Sequence, residues 1–334
     1  MPDATPHHRW RAFRASRFFP AAVMSLILAA SAALFAGSYT YAIADPTPHR
    51  LPVAVVAGAE NDRSRAFLAR LEHLLDTSLE PERYASYPQA VDGIEAQHVF
   101  AVVRTERGAV RLDIASAAGA SVAELLTQQA PKAAKSAGVE LRVHDLKPLS
   151  TGDPRGLAIF YISLAAVIIG FLGAVQLSIH ARALRPAERA AVIAGYSVLG
   201  GLAIVLVVGE TWLDAVPLPF LTSWGILTLT MFTAGMVFTM FNTLIGRWAI
   251  LPTWTLMVMI GSPSSGGAVS WPLLPSPFGV VGRYLPPGAS VNAQHTAIYF
   301  RGDQHPQPYL ILATWALVSC AVFFTWRHRH PGGD

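Results

Sequence analysis

Apolar and polar positions follow two different rhythms along this chain. Residues 20–43, 157–179, 190–208, 219–241 and 310–326 are almost unbroken apolar runs, while residues 45–155 mix short apolar stretches with charged ones. A helix needs ~20 mostly apolar residues to cross the hydrocarbon of a bilayer, so each long run predicts a membrane span. A further run, Trp248–Ile260, is shorter than a comfortable span; it either borrows flanking glycines or bends into the adjoining loop. The pattern predicts a polytopic α-helical membrane protein of about six spans, with an α/β domain between spans 1 and 2. The expected layout is a segment 1–19, a first span 20–43, the α/β domain 44–155 and a membrane block 156–326. Within that block the spans are 157–179, 190–208, 219–241, 247–261 and 308–326, with an irregular stretch 262–307 before the last. A tail, 327–334, ends the chain.

The residues between the first two spans carry their own periodicities. Leu51–Ala57 is a short, β-branched run and predicts a buried strand ending at Gly58. From Ser64 to Leu79, Phe67, Leu68, Leu71, Leu74 and Leu75 share one helical stripe, with Arg65, Arg70, Glu72 and Asp76 off it. His98–Arg104 and the alternating Ala109–Ala115 flank Glu106-Arg107-Gly108, a hairpin signal. Ser121, with Glu124 three residues on, predicts a capping box opening a helix that Gly138 closes. A last strand over Val139–His144 leads into a linker containing Pro148, Gly152 and Pro154. The order β-α-(short helix)-β-β-α-β describes a small α/β sandwich.

Composition sharpens this picture. Only 14% of the 334 residues are charged against 52% hydrophobic, where soluble domains carry roughly a quarter charged. Cys320 is the single cysteine, so the α/β domain has no disulfide to lean on. The net charge of +4 comes from arginines beside apolar runs, the pattern of membrane flanks, and argues against nucleic acid as a partner. Arg9, Arg11, Arg14 and Arg17 precede the first span; Arg182, Arg185 and Arg189 follow the second; Arg247 follows the fourth; Arg327 and Arg329 follow the last. Basic residues on short links stay in the cytoplasm, which predicts both termini inside and the α/β domain outside the plasma membrane. The link 209–218 holds Glu210 and Asp214 and no basic residue. The first run also fits a signal peptide ending at Ala42-Ile43-Ala44, but its length favours an uncleaved anchor. Upstream of it, Trp10, Phe13, Phe18 and Phe19 interleave with the arginines, as in a helix lying on the inner leaflet or a plain positive leader.

Candidate chemistry is sparse. No Walker A loop, H-E-x-x-H or G-x-S-x-G sequence occurs, so neither direct ATP hydrolysis by that route nor a familiar enzyme class is indicated, and no cofactor is implied. Asp92, Glu95 and Asp113 read as solvated surface charges. Inside the spans polar residues are mild: Gln176, Ser197, Thr228, Thr230, Thr233, Thr239 and Asn242, suited to helix packing, with Gly195, Gly200 and Gly201 allowing close approach. Glu210 marks the end of a span.

Residues 261–307 stand apart. Gly261-Ser-Pro-Ser-Ser-Gly-Gly-Ala268, Trp271-Pro-Leu-Leu-Pro275 and Tyr284-Leu-Pro-Pro-Gly-Ala289 are apolar, rich in Pro and Gly, and uncharged up to Arg283. Such a stretch is too apolar for a soluble loop and too proline-rich for one spanning helix. It predicts two short helices, near 272–282 and 288–300, folded back into the membrane or lying at its surface. Pro263, Gly266, Gly267, Trp271, Pro275, Pro286, Pro287 and Gly288 are the candidate gate residues. The other reading is an outer-leaflet anchor using Trp271, Phe278 and Tyr284.

The 261–289 motifs, the opening Leu51-Pro-Val-Ala-Val-Val and the order of parts resemble ABC-2-type membrane proteins of the YhgE/phage-infection-protein-like group. The resemblance implies a bacterial permease acting as a homodimer, with ATP hydrolysed by a separate subunit that would face Arg182, Arg185 and Arg189. The weakly polar spans suit an amphipathic or lipid-like substrate. The alternative is a cell-surface receptor or assembly scaffold that binds through the outer domain.

Overall fold

The structure is a computed structural model that describes residues 16, 18–43, 50–57, 61–76, 79–302 and 305–330. The basic and aromatic segment containing Arg9 to Arg17 lies outside the described residues. The first helix, α1 (Phe19–Ile43), is followed by β1 (Leu51–Val56), α2 (Asp62–Leu75), β2 (Leu79–Tyr84), α3 (Tyr87–Glu95), β3 (Ala101–Glu106), β4 (Ala109–Ile114), α4 (Ala120–Ala137) and β5 (Leu141–Asp145). The five strands form one sheet in the order β2-β1-β3-β4-β5. β1 runs parallel to β2 and β3, β3 pairs antiparallel with β4, and β4 runs parallel to β5.

β1 is apolar along its length because both of its faces are covered. Phe67 and Leu71 of α2 and Val122 and Leu126 of α4 pack with Val53, Val103, Val110 and Leu112 on one side. Ala90 and Ile94 of α3 pack with Ala54, Val56 and Val102 on the other. Arg107 (φ 50°) and Gly108 (φ 84°) make the tight β3–β4 turn with the left-handed backbone such hairpins need.

Three features of this domain depart from the sequence-based expectation. The helix expected to reach Leu79 stops earlier, at Asp76 in the left-handed region, and Leu79–Tyr84 becomes an additional edge strand. That strand, LEPERY, is charged and carries a proline, which only an edge position tolerates. The capping box at Ser121 and Glu124 does not form: α4 is capped by Gly119, the Ser121 hydroxyl turns to Ser270, and Glu124 accepts from Gln128 Nε2. Asp113 is wholly buried rather than solvated. It accepts from Arg111 Nε at 2.8 Å and Arg104 Nε at 3.2 Å, while Glu106 lies 3.3 Å from both guanidinium groups. Arg104 also stacks on the Tyr87 ring at 4.0 Å, and burial, reinforced by the Asp113 charge, raises the pKa of the Tyr87 phenol. Asp92 is exposed as expected, and Glu95 pairs with Lys147 at 2.6 Å.

The rest of the chain is helical: α5 (Ala158–His180), α6 (Pro186–Val208), α7 (Phe220–Ile245), α8 (Ile250–Trp254, continued by a π turn over Thr255–Ile260), α9 (Ser276–Val281), α10 (Pro286–Tyr299) and α11 (Gln307–Arg329). Among the described residues, five helical stretches are long and apolar enough to cross a bilayer: α1, α5, α6, Phe220–Ile260 and α11. The chain is thus a multi-pass membrane protein. The run expected as a separate span, 247–261, does not stand alone. Gly246 (φ 58°) breaks the stretch Phe220–Ile260, and the chain passes through a 3₁₀ turn before the eleven residues of α8 and its π extension. At 1.5 Å per residue these rise only ~16 Å, about half the hydrocarbon thickness.

α7 is the central helix, and small residues set how closely its neighbours approach. Gly170 of α5 lies against the Met231 backbone, while Gly200 and Gly201 of α6 meet Met231 and Thr228. Gly195, expected in the same role, has no neighbour within 4 Å. Of the expected hydroxyls, Ser197 donates to Ile193 O, Thr239 to Gly235 O, and Thr233 across to Leu312 O, whereas the Thr228 hydroxyl has no partner among the described residues. α5 starts directly after the α/β domain, and the 209–219 link also touches it, through Gly152 against Asp214 and Ala215. The links holding Arg182, Arg185, Arg189 and Arg247, and the end of α11 with Arg327 and Arg329, therefore gather at the opposite end of the helices.

Removing Asp113 leaves two partly buried guanidinium groups with the half-exposed Glu106 as their one remaining carboxylate. Asp113→Ala should cost about 3–5 kcal/mol of stability, read as a lowered unfolding midpoint of the full chain in detergent; an unchanged midpoint would show the cluster to be incidental.

Candidate functional site

Past the π turn, the chain can no longer supply its own helical partners. Ser262 Oγ donates to Met257 O (2.9 Å) and Ser264 Oγ to Ile260 O (2.6 Å), taking over carbonyls that a continuing helix would have used. Pro263 lies buried in this turn, and Gly266 (φ 82°) packs under the Trp271 indole, whose Nε1 donates to Ser264 O at 3.3 Å. Arg283 stands 5.0 Å over the same ring. Gly267 faces Phe160 and Val291, and Pro275 opens α9. The chain then crosses itself. Gly282 passes the Ser264 carbonyl and Gly288 passes the Gly282 carbonyl, so close that neither position has room for a Cβ. Pro286 and Pro287 open α10 and are buried, with Pro287 against Gly261. The candidate gate residues thus form one connected knot. The two short helices expected in this stretch are present as α9 and α10.

The depth of this knot along the helices follows from α11. Trp315 Nε1 donates to Tyr284 O at 2.9 Å, and Trp315 lies eight residues past Gln307, about 12 Å along the helix. From there α10 climbs back towards the α/β domain, packed among α5, α7 and α11, and buries Ser290, Gln294 and Thr296. Ser163, Ser290 and Thr230 form a hydroxyl chain with links of 3.2 and 2.9 Å. Gln294 Nε2 donates to Ser223 O at 3.0 Å. No residue of α7, α10 or the apolar part of α11 carries a formal charge from Asp, Glu, Lys or Arg.

The α/β domain grips both arms of the folded-back segment. On the first, Val269, Leu273 and Leu274 enter the domain's core beside Val122 and Leu126, and Ser270 N donates to Ser121 Oγ at 2.9 Å. On the second, Gln97 Nε2 donates to Thr296 Oγ1 (3.1 Å), Lys147 Nζ to Tyr299 O (3.1 Å) and Ser150 N to the Tyr299 hydroxyl (3.3 Å). Phe300 is fully buried with Val99, Val102 and Ala115, and His305 Nε2 meets Ala96 O at 3.0 Å.

The arginines expected to meet an ATPase are elsewhere. Arg182 and Arg185 are exposed at the opposite end; the Arg185 N–H donates to Glu188, which caps α6, and Arg189 reaches Ala181 O at 3.4 Å. Of the aromatic anchor residues, Tyr284 is exposed, whereas Trp271 and Phe278 are half-buried against the domain and α1. Ser163, Ser223, Ser290, Gln294 and Thr296 were not marked by sequence reasoning. For Ser290, Gln294 and Thr296 the signal was the density of polar residues in 290–299; Ser163 and Ser223 sit inside apolar runs and gave none. Among the described residues no three metal-ligating side chains converge. No protein family, curated protein or solved structure matches the chain. The site is therefore read from its geometry.

The crossing at Gly282 gives a sharp test. Gly282→Ala should destabilise by roughly 1–3 kcal/mol because the backbone of Ser264 cannot retreat. Gly225→Ala, at an α7 glycine with nothing within 4 Å, should be neutral or slightly stabilising. Equal unfolding midpoints for the two variants in detergent would contradict the crossing.

Proposed function

We propose that this chain is the membrane-embedded permease subunit of an ABC-2-like exporter for an amphipathic or lipid-like substrate. It works as a homodimer in the plasma membrane, with ATP hydrolysed by a separate subunit and no cofactor of its own. The observation that carries this reading is the uncharged hydroxyl- and amide-bearing face of α10, enclosed among apolar helices and closed from above by the α/β domain. A charged cargo would find no counter-charge there, and an intramembrane charge without a partner is costly. A mostly apolar molecule with a small polar head fits that lining.

Orientation follows from the basic links. Their collection at the end opposite the α/β domain supports placing that end in the cytoplasm, with both termini inside; α8 and its π extension re-enter to about half depth and α10 carries the chain the rest of the way, so the sixth crossing is shared between them. Residues 262–300 are then a re-entrant segment on the outer side, and the α/β domain is its extracytoplasmic cover. Exposed Arg182 and Arg185 supply the surface that an ATPase subunit would meet.

Two measurements test this. In a Cys320→Ser background, a membrane-impermeant maleimide should label Gln128→Cys in intact cells but Ala187→Cys only after permeabilisation; the reverse pattern overturns the orientation. Purification in mild detergent should recover a dimer with a P-loop ATPase. Arg182→Glu with Arg185→Glu should weaken that capture by at least about tenfold, since like charges at an interface cost several kcal/mol. Recovery of the chain with no ATPase at all removes the exporter reading.

A further inference from the structure

Three polar atoms meet no partner where α7, α10 and α11 come together: Ser223 Oγ, Gln294 Oε1 and the Tyr309 hydroxyl. Ser223 and Gln294 are both 0% exposed. They belong to one place. Gln294 holds the Ser223 carbonyl through its Nε2, and Tyr309 packs on Ile226, Ala293 and Ala297, the neighbours of Ser223 and Gln294 on their helices. Leaving a buried polar atom without a hydrogen bond is unfavourable, so three together call for a partner. Among the described residues of the helix bundle, Thr228 and Ser319 also have unpartnered hydroxyls but lie apart: Thr228 faces Gly201 of α6, and Ser319 is ten residues past Tyr309, about 15 Å further along α11.

We propose that these three oxygens bind the neutral, hydroxyl-bearing head of a lipid. This deepens the reading of a lipid-like cargo and rests on it. Gln294 Oε1 can only accept, and the two hydroxyls can accept or donate, so the complementary group is a donor that also accepts. Near this place the three helices carry no Asp, Glu, Lys or Arg; His295 of α10 turns to the Tyr299 and Phe300 rings, and Arg301, past the end of α10, holds Pro217 O at 3.3 Å, so an ammonium or phosphate head at these oxygens would have no ion partner beside it. Position supports the same class. Ser223 lies in the first turn of α7 and Tyr309 in the first turn of α11, the ends nearest the α/β domain, where the head of a lipid in that leaflet would lie. Its acyl chains would run alongside the apolar flanks of α7 and α11 below.

The test uses the full-length chain in detergent and three lipids with matched chains: 1,2-dioctanoylglycerol, 1,2-dioctanoyl phosphatidate and trioctanoylglycerol. Binding is read by native mass spectrometry and by lipid-dependent thermal shift. The dioctanoylglycerol should bind, and the phosphatidate and the hydroxyl-free triester should bind at least about tenfold more weakly, the worth of one or two hydrogen bonds to buried groups. Ser223→Ala should reduce dioctanoylglycerol binding by a similar factor without lowering the unfolding midpoint of the lipid-free protein, and Gln294→Met should reduce it as well while also losing the amide's bond to Ser223 O. If Gln294→Met fails to fold, Ser223→Ala alone carries the comparison. Equal binding of the three lipids, unchanged binding by a folded variant, or no binding at all (oxygens bridged by water only) overturns the proposal. Dioctanoylglycerol binding without a recoverable ATPase keeps this site and discards the exporter, whereas ATPase capture without lipid binding does the opposite.

Discussion

Everything in this structure depends on one requirement: backbone that leaves a helix among apolar helices must find its hydrogen bonds inside the protein. Residues 261–285 leave the helix partway along the bundle, level with the middle of α11. They survive because serines recapture the loose carbonyls, glycines let strands of chain touch, and two solid bodies hold the segment from either side. The bundle supplies α5, α7 and α11; the α/β domain supplies Ser121, Gln97, Lys147 and a share of its own core. Without that second support, Ser270, Tyr299 and His305 would lose the partners they have across the boundary.

Much of this architecture was written in the hydrophobic pattern. The long apolar runs became α1, α5, α6, α7 and α11 within a few residues of their expected limits, because length and apolarity are local properties of the chain. The irregular stretch announced itself by Pro and Gly for the same reason. What failed was decided at a distance. β2 is charged and carries Pro81, and it pairs only because β1 offers it a free edge. Asp113 reads as one more surface charge until the hairpin brings Arg104 and Arg111 to it. Ser121 has the sequence of a cap, yet its hydroxyl is taken by Ser270, which is 149 residues away.

The polar face of α10 was hidden for a related reason. A serine, a glutamine and a threonine in a short segment carry no motif, and each alone is an ordinary surface residue. They gain meaning only when α10 is folded into an apolar bundle, where an amide or hydroxyl without a partner is a defect unless something uses it. The same contrast separates the two ends of the molecule: arginines cap and cover the far end with little tertiary demand, whereas the end at the α/β domain is closed by specific contacts.

The shared core has a consequence for how the protein is made. Residues 50–155 leave the ribosome long before Val269, Leu273, Leu274 and Phe300 exist, yet those side chains complete the two apolar layers against the sheet. The domain that is synthesised early is therefore finished late, holding open greasy surface while four more helical stretches are inserted. Such long-range closure is slow and exposes sticky intermediates. A chain stopped before residue 269 would carry both apolar layers uncovered, and one stopped between 275 and 299 would still lack Phe300 on the second.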